Sequence, residues 1–128
     1  MSYYISKEVD YSYSEAIEKI KESLKEQGFG VVTEIDMKAI LKSKIDKDIP
    51  PYIILGACSP SYAYHAVKTE DNIGLMLPCN VVVREASNGK IEVSVIDPLE
   101  AMKPVGNENL NELAIEVKDK LALAINNL

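Results

Sequence analysis

The sequence predicts a two-layer α+β domain in which helices cover one face of a mostly antiparallel sheet. Helix patterns open and close the chain, and most strand patterns lie between them. An Asn88-Gly89 pair predicts a hairpin near the end of the strand region. With 128 residues, 47% of them hydrophobic, the chain is expected to form a single domain over residues 1–128.

The first third of the chain alternates strand and helix patterns. Residues 3–9 alternate like a strand, and Ser12 and Glu15 form a capping box for a helix that Gly28 ends. Apolar side chains then recur at every second position over residues 29–35. We therefore expect one face of a second strand to be apolar along its whole length.

The middle of the chain repeats this alternation. Asp36 is expected to cap a second helix, which cannot continue through the prolines at positions 50 and 51. Residues 52–55 form a continuous apolar run of strand length. Ser59 is then expected to cap a third helix, because Pro60 suits the first helical position, where its missing N–H costs nothing.

A proline interrupts the next strand pattern. Residues 73–83 are predicted to form one strand, in which Pro78 cannot donate to a hydrogen-bond ladder. This strand is therefore expected to lie at a sheet edge or to carry a bulge. The Asn88-Gly89 turn joins it to a further strand over residues 91–95.

Helix patterns return at the end of the chain. Asp97 and Pro98 predict a short helix, with the aspartate as its cap and the proline at its first position. From about residue 108 onward, a broad apolar stripe predicts a longer helix that packs on the core. The stripe comprises Leu110, Leu113, Ala114, Val117, Leu121, Ala124 and Leu128.

Composition restricts the classes of partner. The net charge of −6 and the scattered lysines argue against nucleic acid, because phosphate binding depends on clustered basic residues. No apolar run approaches the ~20 residues that cross a bilayer, and the first residues show no export-signal pattern. We therefore expect a soluble, cytoplasmic protein with no membrane and no nucleic-acid partner, whose two cysteines are not a structural disulfide.

Four motifs, in order, resemble those of one known family. They are FGVVTEID at Phe29–Asp36, LGACSP at Leu55–Pro60, IGLMLPCNVVV at Ile73–Val83 and IDP at Ile96–Pro98. Over nearly its full length the chain resembles the domain of unknown function 302 family. The resemblance implies a sheet of about five strands gripped by helices, a fold similar to the TATA-binding-protein-like class, and a tendency to form homodimers. It implies neither DNA binding nor an established activity.

One position departs from the pattern of that family. The family usually reads GACNP, whereas this chain reads GACSP, so Ser59 stands in place of an asparagine. We expect the helix cap to survive this change, because serine and asparagine both serve as N-caps. A contact made by the amide would be altered.

Cys58 is the strongest candidate for chemistry and is our candidate catalytic residue. It directly precedes a predicted helix start, where free N–H groups and the helix dipole favour an anion and thus the thiolate. The alternative is a small buried side chain packed at a strand end, which is a common role of a free cysteine.

Cys79 and Asn80 follow Pro78, where a bulge is expected. A bulge changes the direction of nearby side chains and is often found next to a functional site. If the strands that carry Cys58 and Cys79 are neighbours, the two cysteines could come together as a thiol pair or a two-sulfur ligand set; inert packing of Cys79 is the alternative. No metal site is predicted, because there is no CxxC pattern and a zinc site would need carboxylates or a second subunit. His65 lies two helical turns beyond Cys58 and is expected at the surface.

Glu34 and Asp36 lie two residues apart on a predicted strand and are expected to face the same way. Paired carboxylates can perform acid–base work. A helix cap at Asp36 and a solvated side chain at Glu34 explain the pair equally well.

Two functions remain open, and no cofactor is indicated. In the first, a cleft at the sheet ends binds a small molecule or presents a redox thiol. The residues of that cleft would be Cys58, Cys79, Asn80, Glu34 and Asp36. In the second, the chain is a non-catalytic homodimeric scaffold or regulator that offers a sheet or helix face to another protein. A hydrolase or isomerase is the third alternative.

Overall fold

The structure, a computed structural model, describes residues 2–128. Five strands form one open antiparallel sheet in the order β1-β5-β4-β3-β2. The strands are β1 (Tyr4–Val9), β2 (Gly30–Asp36), β3 (Tyr52–Cys58), β4 (Cys79–Glu85) and β5 (Ile91–Ile96). The predicted α+β class with an antiparallel sheet of five strands is confirmed.

Helices connect these strands and cover one face of the sheet. They are α1 (Tyr13–Glu26), α2 (Met37–Ile45), α3 (Pro60–Thr69), α4 (Pro98–Met102) and α5 (Asn111–Asn126). Three 3₁₀ turns lie at Ile73–Met76, Lys103–Val105 and Glu108–Leu110. The long helices α1 and α5 pack on each other and on the sheet, whereas α2 contacts β2 and β3 and buries none of its side chains. Among residues 2–128, no helix has the length and apolar character that crossing a membrane requires.

The hydrophobic core lies between α1, α5 and the covered face of the sheet. Ile20 and Leu24 of α1 and Leu121 and Ile125 of α5 are almost fully buried there. Burying each such side chain contributes about 1.5–3 kcal/mol. The sheet supplies the opposing buried residues Leu55, Val81, Val83, Val93 and Val95.

Helix starts follow the predicted caps at three positions. Ser12, Asp36 and Asp97 each accept a hydrogen bond from a backbone N–H of the first turn, at 3.2, 3.0 and 3.0 Å. The predicted hairpin is also present, with Gly89 at a φ of 81° between β4 and β5. A positive φ of this kind costs glycine little, which explains the strength of the Asn-Gly signal.

The β2 strand does not present one apolar face. Val31 pairs with Ala57 on the helix-covered face, but a register shift between Val31 and Thr33 follows. Beyond this bulge, Ile35 pairs with Ile54 on the opposite face of the sheet. The predicted uniform alternation over residues 29–35 is therefore wrong, because one inserted residue reverses the side-chain pattern.

The segment before β4 also differs from the prediction of one strand over residues 73–83. Ile73–Met76 is a 3₁₀ turn, the Leu77–Pro78 peptide bond is cis, and the strand begins at Cys79. β4 occupies the centre of the sheet, so the expected edge position is wrong. Pro78 needs no edge because it precedes the first residue of the ladder, where no N–H donor is lost.

Candidate functional site

An apolar cleft lies beside the carboxyl end of β3, with α3, α4, α5 and the segment before β4 as its walls. Its cavity volume is about 50 Å³, which is room for roughly two water molecules at ~30 Å³ each. Cys58, Ser59 and Cys79 line the cleft together with apolar side chains. The apolar lining includes Phe29, Tyr62, Leu77, Met102, Leu113 and Val117.

Strand pairing brings both cysteines to this cleft. β3 and β4 are neighbours, and Ala57 of β3 pairs with Cys79 of β4. Cys58 is therefore one residue beyond that pair, and both thiols are free. The strands that carry the two cysteines are therefore neighbours, but the alternation of β3 turns the Cys58 side chain to the face opposite Ala57 and Cys79.

The two thiols have different surroundings. Cys79 is buried, and burial, with a smaller contribution from nearby Cys58, raises the pKa of its thiol to about 11. Cys79 therefore keeps its proton at neutral pH. Cys58 is half-buried, so it is the thiol that a dissolved reagent reaches more readily.

Ser59 occupies the cap position of α3, but its side chain makes no capping hydrogen bond. The prediction of a serine side-chain cap is therefore wrong. The residue is 7% exposed and lines the cleft, while its backbone carbonyl accepts a hydrogen bond from the Ala63 N–H at 2.9 Å. The backbone and Pro60 begin the helix, and the Ser59 hydroxyl is left for other contacts.

Tyr62 fastens α3 to α5 at the wall of the cleft. Its ring stacks on Phe29 with the ring centroids 6.2 Å apart, and Glu116 of α5 lies near its hydroxyl. Burial first, and then the negative charge of Glu116, raise the pKa of Tyr62. Tyr62 is thus a neutral wall of the cleft at physiological pH.

The other three predicted ligand residues do not line this cleft. The Glu34 carboxylate lies 3.2 Å from the Lys21 ammonium, and Asp36 caps α2. Asn80 is exposed and lines a shallow groove beyond the Leu77–Pro78 segment. The structure therefore places Cys58 and Cys79 on neighbouring strands at this cleft, and Asn80, Glu34 and Asp36 elsewhere.

The single histidine does not line the cleft. His65 is exposed on α3, as predicted. Among residues 2–128, no group of three or more histidine, cysteine, aspartate and glutamate side chains is placed to hold a metal ion.

Two cleft residues had little signal in the sequence. Met102 lies at the end of the short α4 and carries no pattern of its own, so only the packing of α4 on α5 brings it to the cleft. Ser59 was marked by its place after Cys58 in GACSP, but that motif was interpreted as a cap.

The comparisons with known proteins agree with this fold. The model of the family described as Domain of unknown function DUF302 matches residues 5–128. The crystal structure of an uncharacterized conserved DUF302 protein from Bacillus stearothermophilus is 27% identical, with 98% of each chain covered and a TM-score of 0.92. No curated protein matches the chain significantly.

Proposed function

Because the chain belongs to the DUF302 family, whose description states no activity, we propose its function from the geometry of the cleft. We propose that the protein is a small-ligand-binding module in which Cys58 is the reactive thiol and Cys79 its buried neighbour. The position of both cysteines at one apolar cleft, on neighbouring strands, carries this proposal. The proposed location is the cytoplasm, where reducing conditions keep both cysteines as thiols.

The surroundings of the two sulfurs favour ligand binding over thiol–disulfide exchange. A resolving cysteine attacks as a thiolate, and the pKa of about 11 at Cys79 leaves almost none of this form at neutral pH. The apolar walls instead favour a small, weakly polar ligand. The net charge of −6 disfavours a phosphate backbone, so nucleic acid is not among the proposed partners.

Alkylation of the folded protein tests this proposal. We compare Cys58→Ser and Cys79→Ser with a small, neutral alkylating reagent at neutral pH, and locate the label by mass spectrometry. The variant that retains Cys58 is expected to react in the folded state, and the variant that retains Cys79 only after unfolding. Labelling of Cys58 only after denaturation would show that it is a packing residue and would overturn the proposal.

A matched pair of variants on α3 shows whether the reagent enters through the cleft. Ala63→Leu adds bulk to the lining and is expected to slow the labelling of Cys58. Val67→Phe adds comparable bulk at an exposed position of the same helix and is expected to leave the rate unchanged. Equal rates in the two variants would contradict access through the cleft.

A homodimeric scaffold is the second proposed function, and the uncovered face of the sheet favours it. We call this surface the open face. Its centre mixes aromatic, aliphatic and charged side chains, with Arg84 and Glu92 paired at 3.2 Å. It comprises Tyr4, Tyr52, Ile54, Val82, Arg84, Glu92, Ser94 and Ile96.

The size of the open face suits a second copy of the chain. Five strands of about six residues, spaced ~4.8 Å apart, present roughly 500 Å² of flat area. The protruding side chains make the accessible area larger than the flat area, so it approaches the ~800 Å² that each partner buries in a stable interface. Sheet-on-sheet packing of two copies would cover the aromatic and aliphatic side chains of this face.

Light scattering tests the dimer at micromolar concentration. The unchanged protein is expected to have twice the mass of one chain, and Val82→Lys is expected to be monomeric with an unchanged circular dichroism spectrum. Ile115→Lys, on the exposed side of α5, is the matched control and should remain dimeric. A monomeric unchanged protein, or a dimeric Val82→Lys, would remove this second proposal.

A further inference from the structure

We infer that two copies of the chain join their open faces about a two-fold axis between β4 and β5, with Arg84 of each copy paired to the partner's Glu92. This inference rests on the second proposed function, the homodimer, and names the contact that orients it. Three observations support it: the register of the open face, the unused hydrogen-bonding capacity of the Arg84–Glu92 pair, and the order of charges across the strands.

Strand pairing fixes where the side chains of the open face stand. Arg84 of β4 lies opposite Glu92 of β5, and Tyr52 of β3 lies opposite Arg84 on its other side. Two residues further along the same central strands, Val82 lies opposite Ser94. The charged side chains therefore form one row across the strands, and smaller uncharged side chains form the next row.

The charged pair is not saturated within one chain. Within residues 2–128 the Arg84 guanidinium donates one side-chain hydrogen bond, from Nη2 to Glu92 Oε2 at 3.2 Å, although a guanidinium carries five N–H donors. The Ser94 hydroxyl donates to Glu92 Oε1 at 2.9 Å, and each carboxylate oxygen can accept a second bond. The side chains of Arg84 and Glu92 are 37% and 21% exposed, so both are already partly removed from water. An opposite charge on a second copy can therefore bind here at a lower desolvation cost than at two fully exposed charges.

A symmetric interface must be complementary to itself. In a two-fold dimer the same patch meets its own copy, so each charge near the axis must face a charge of opposite sign. A two-fold axis that runs parallel to the strands, midway between β4 and β5, places β4 of one copy over β5 of the other. The row of charges then faces the same row in reverse order, so Arg84 meets the partner's Glu92 and Glu92 meets the partner's Arg84.

Other positions of the axis bring like charges together or leave charges unpaired. An axis along β4 would place Arg84 over the partner's Arg84, and an axis along β5 would place Glu92 over the partner's Glu92. An axis perpendicular to the strands, at the level of Val82, would place the charged row over the row of Tyr4 and Ile96, which offers no opposite charge. Burying a charge without a partner is costly, so the charges select the axis between β4 and β5.

The flanking strands agree with this axis. It places β3 of one copy over β1 of the other, so Tyr52 stands opposite the partner's Glu8, which pairs with Glu92 in the sheet. A hydroxyl donor thus meets a carboxylate acceptor. The strands β1, β5, β4 and β3 of the two copies overlap, and the bulged edge strand β2 lies outside the contact. This overlap uses the strands that supply the open face.

Charge reversal at the two central positions tests the pairing between copies. Arg84→Glu makes all four central charges of a dimer negative, and Glu92→Arg makes all four positive. Each variant alone is therefore expected to self-associate at least about a hundredfold more weakly than the unchanged protein. An equimolar mixture places a glutamate against an arginine at both contacts and is expected to form heterodimers, which native mass spectrometry identifies by their mass. A mixture without heterodimers would overturn the inference.

The mixture separates the contact between copies from the ion pair within one copy. Each variant has lost its internal pair and mixing does not restore it, so only a contact between copies explains a rescue. Lys21→Glu and Glu34→Lys are matched controls, because they break an ion pair of the same length, 3.2 Å, that lies outside the contact. Both controls are expected to remain dimeric. Monomeric controls would move the interface to another surface and overturn the inference.

The double variant, Arg84→Glu combined with Glu92→Arg, keeps both kinds of pair with their directions reversed. It is expected to fold and to dimerise even where a single reversal disturbs folding, because its internal ion pair is retained. It is expected not to exchange with the unchanged protein, since a mixed dimer would place arginine against arginine and glutamate against glutamate. Mixed dimers in statistical proportion in the native mass spectrum would contradict the pairing.

The homodimer and its proposed axis fail in different ways. If the unchanged protein is monomeric, both are wrong. If the unchanged protein is a dimer that Val82→Lys dissociates, but the two charge-reversed variants form no heterodimer, the homodimer stands and the pairing of Arg84 with the partner's Glu92 is wrong.

Discussion

The two faces of the sheet differ in what covers them. Under α1 and α5, Leu55 and Val81 are fully buried, whereas their neighbours Ile54 and Val82 on the open face are half-buried. A strand alternates its side chains, so a single step along β3 separates a core position from a surface position. Stability is therefore concentrated on one face, while the other is free to meet a partner.

The largest expected difference between the faces is in the cost of losing an aliphatic side chain. Leu55→Ala is expected to lower the free energy of unfolding by about 2–5 kcal/mol, because it leaves a cavity in the closed core. Ile54→Ala, one residue away, should cost no more than about half as much, since its site is partly open. Urea denaturation measures both, and equal losses would show that the open face is packed as tightly as the covered one.

The free energy of unfolding is expected to depend on pH through Cys79, whose side chain lies on the covered face. Burial raises the pKa of this thiol from 9.0 to about 11, so the folded state binds the proton more tightly than the unfolded state. The resulting stability, about 2 to 3 kcal/mol, is complete below about pH 9 and is lost as the pH rises through about 11.

Comparison with Cys79→Ala isolates this contribution, because the other groups that titrate at high pH are present in both proteins. The difference in free energy of unfolding between the two proteins is expected to shrink from about pH 8 to about pH 11. A difference that stays constant over this range would mean that Cys79 is not buried as the structure has it.

At one end of the open face, Thr33 and Pro78 leave no space for a side chain at Gly56. A substitution at Gly56 tests this close packing. A Cβ placed on Gly56 would collide with the Thr33 hydroxyl and lie 2.6 Å from Cγ of Pro78. Gly56→Ala is therefore expected to cost about 1–3 kcal/mol. Gly30→Ala on the adjacent strand is the control, because nothing lies within 4 Å of its added Cβ. A Gly56→Ala variant as stable as this control would show that the end of the face is open.

The smallest effect is expected at the bulged edge of the sheet. The Lys21–Glu34 pair is partly exposed, with side-chain accessibilities of 29% and 51%, so Glu34→Gln should cost less than about 1 kcal/mol. This loss should disappear at high salt. The alkylation rate of Cys58 is expected not to change, and a slower rate would restore Glu34 as a residue of the site.

Elements governed by local rules were predictable from the sequence. Ser12, Asp36 and Asp97 cap their helices as predicted, because a cap depends on residues two or three positions apart. The prediction of one strand over residues 73–83 was wrong around Pro78. The sequence shows that a proline is present but not that the strand begins only after it. The prediction of a side-chain cap at Ser59 was wrong as well, because a side chain that suits a cap was turned into the cleft by packing.

The sequence by itself determined the α+β class, the caps, the Asn88-Gly89 hairpin and the candidacy of Cys58, since each follows from residues close together in the chain. Only the tertiary structure decided that Cys79 and Cys58 lie at the same cleft while Glu34 and Asp36 do not. That outcome depends on the pairing of β3 with β4, on the bulge in β2, and on the packing of α4 and α5 from the far end of the chain. Contacts between residues so far apart in sequence leave no periodic pattern, so they emerge only when the whole core is assembled.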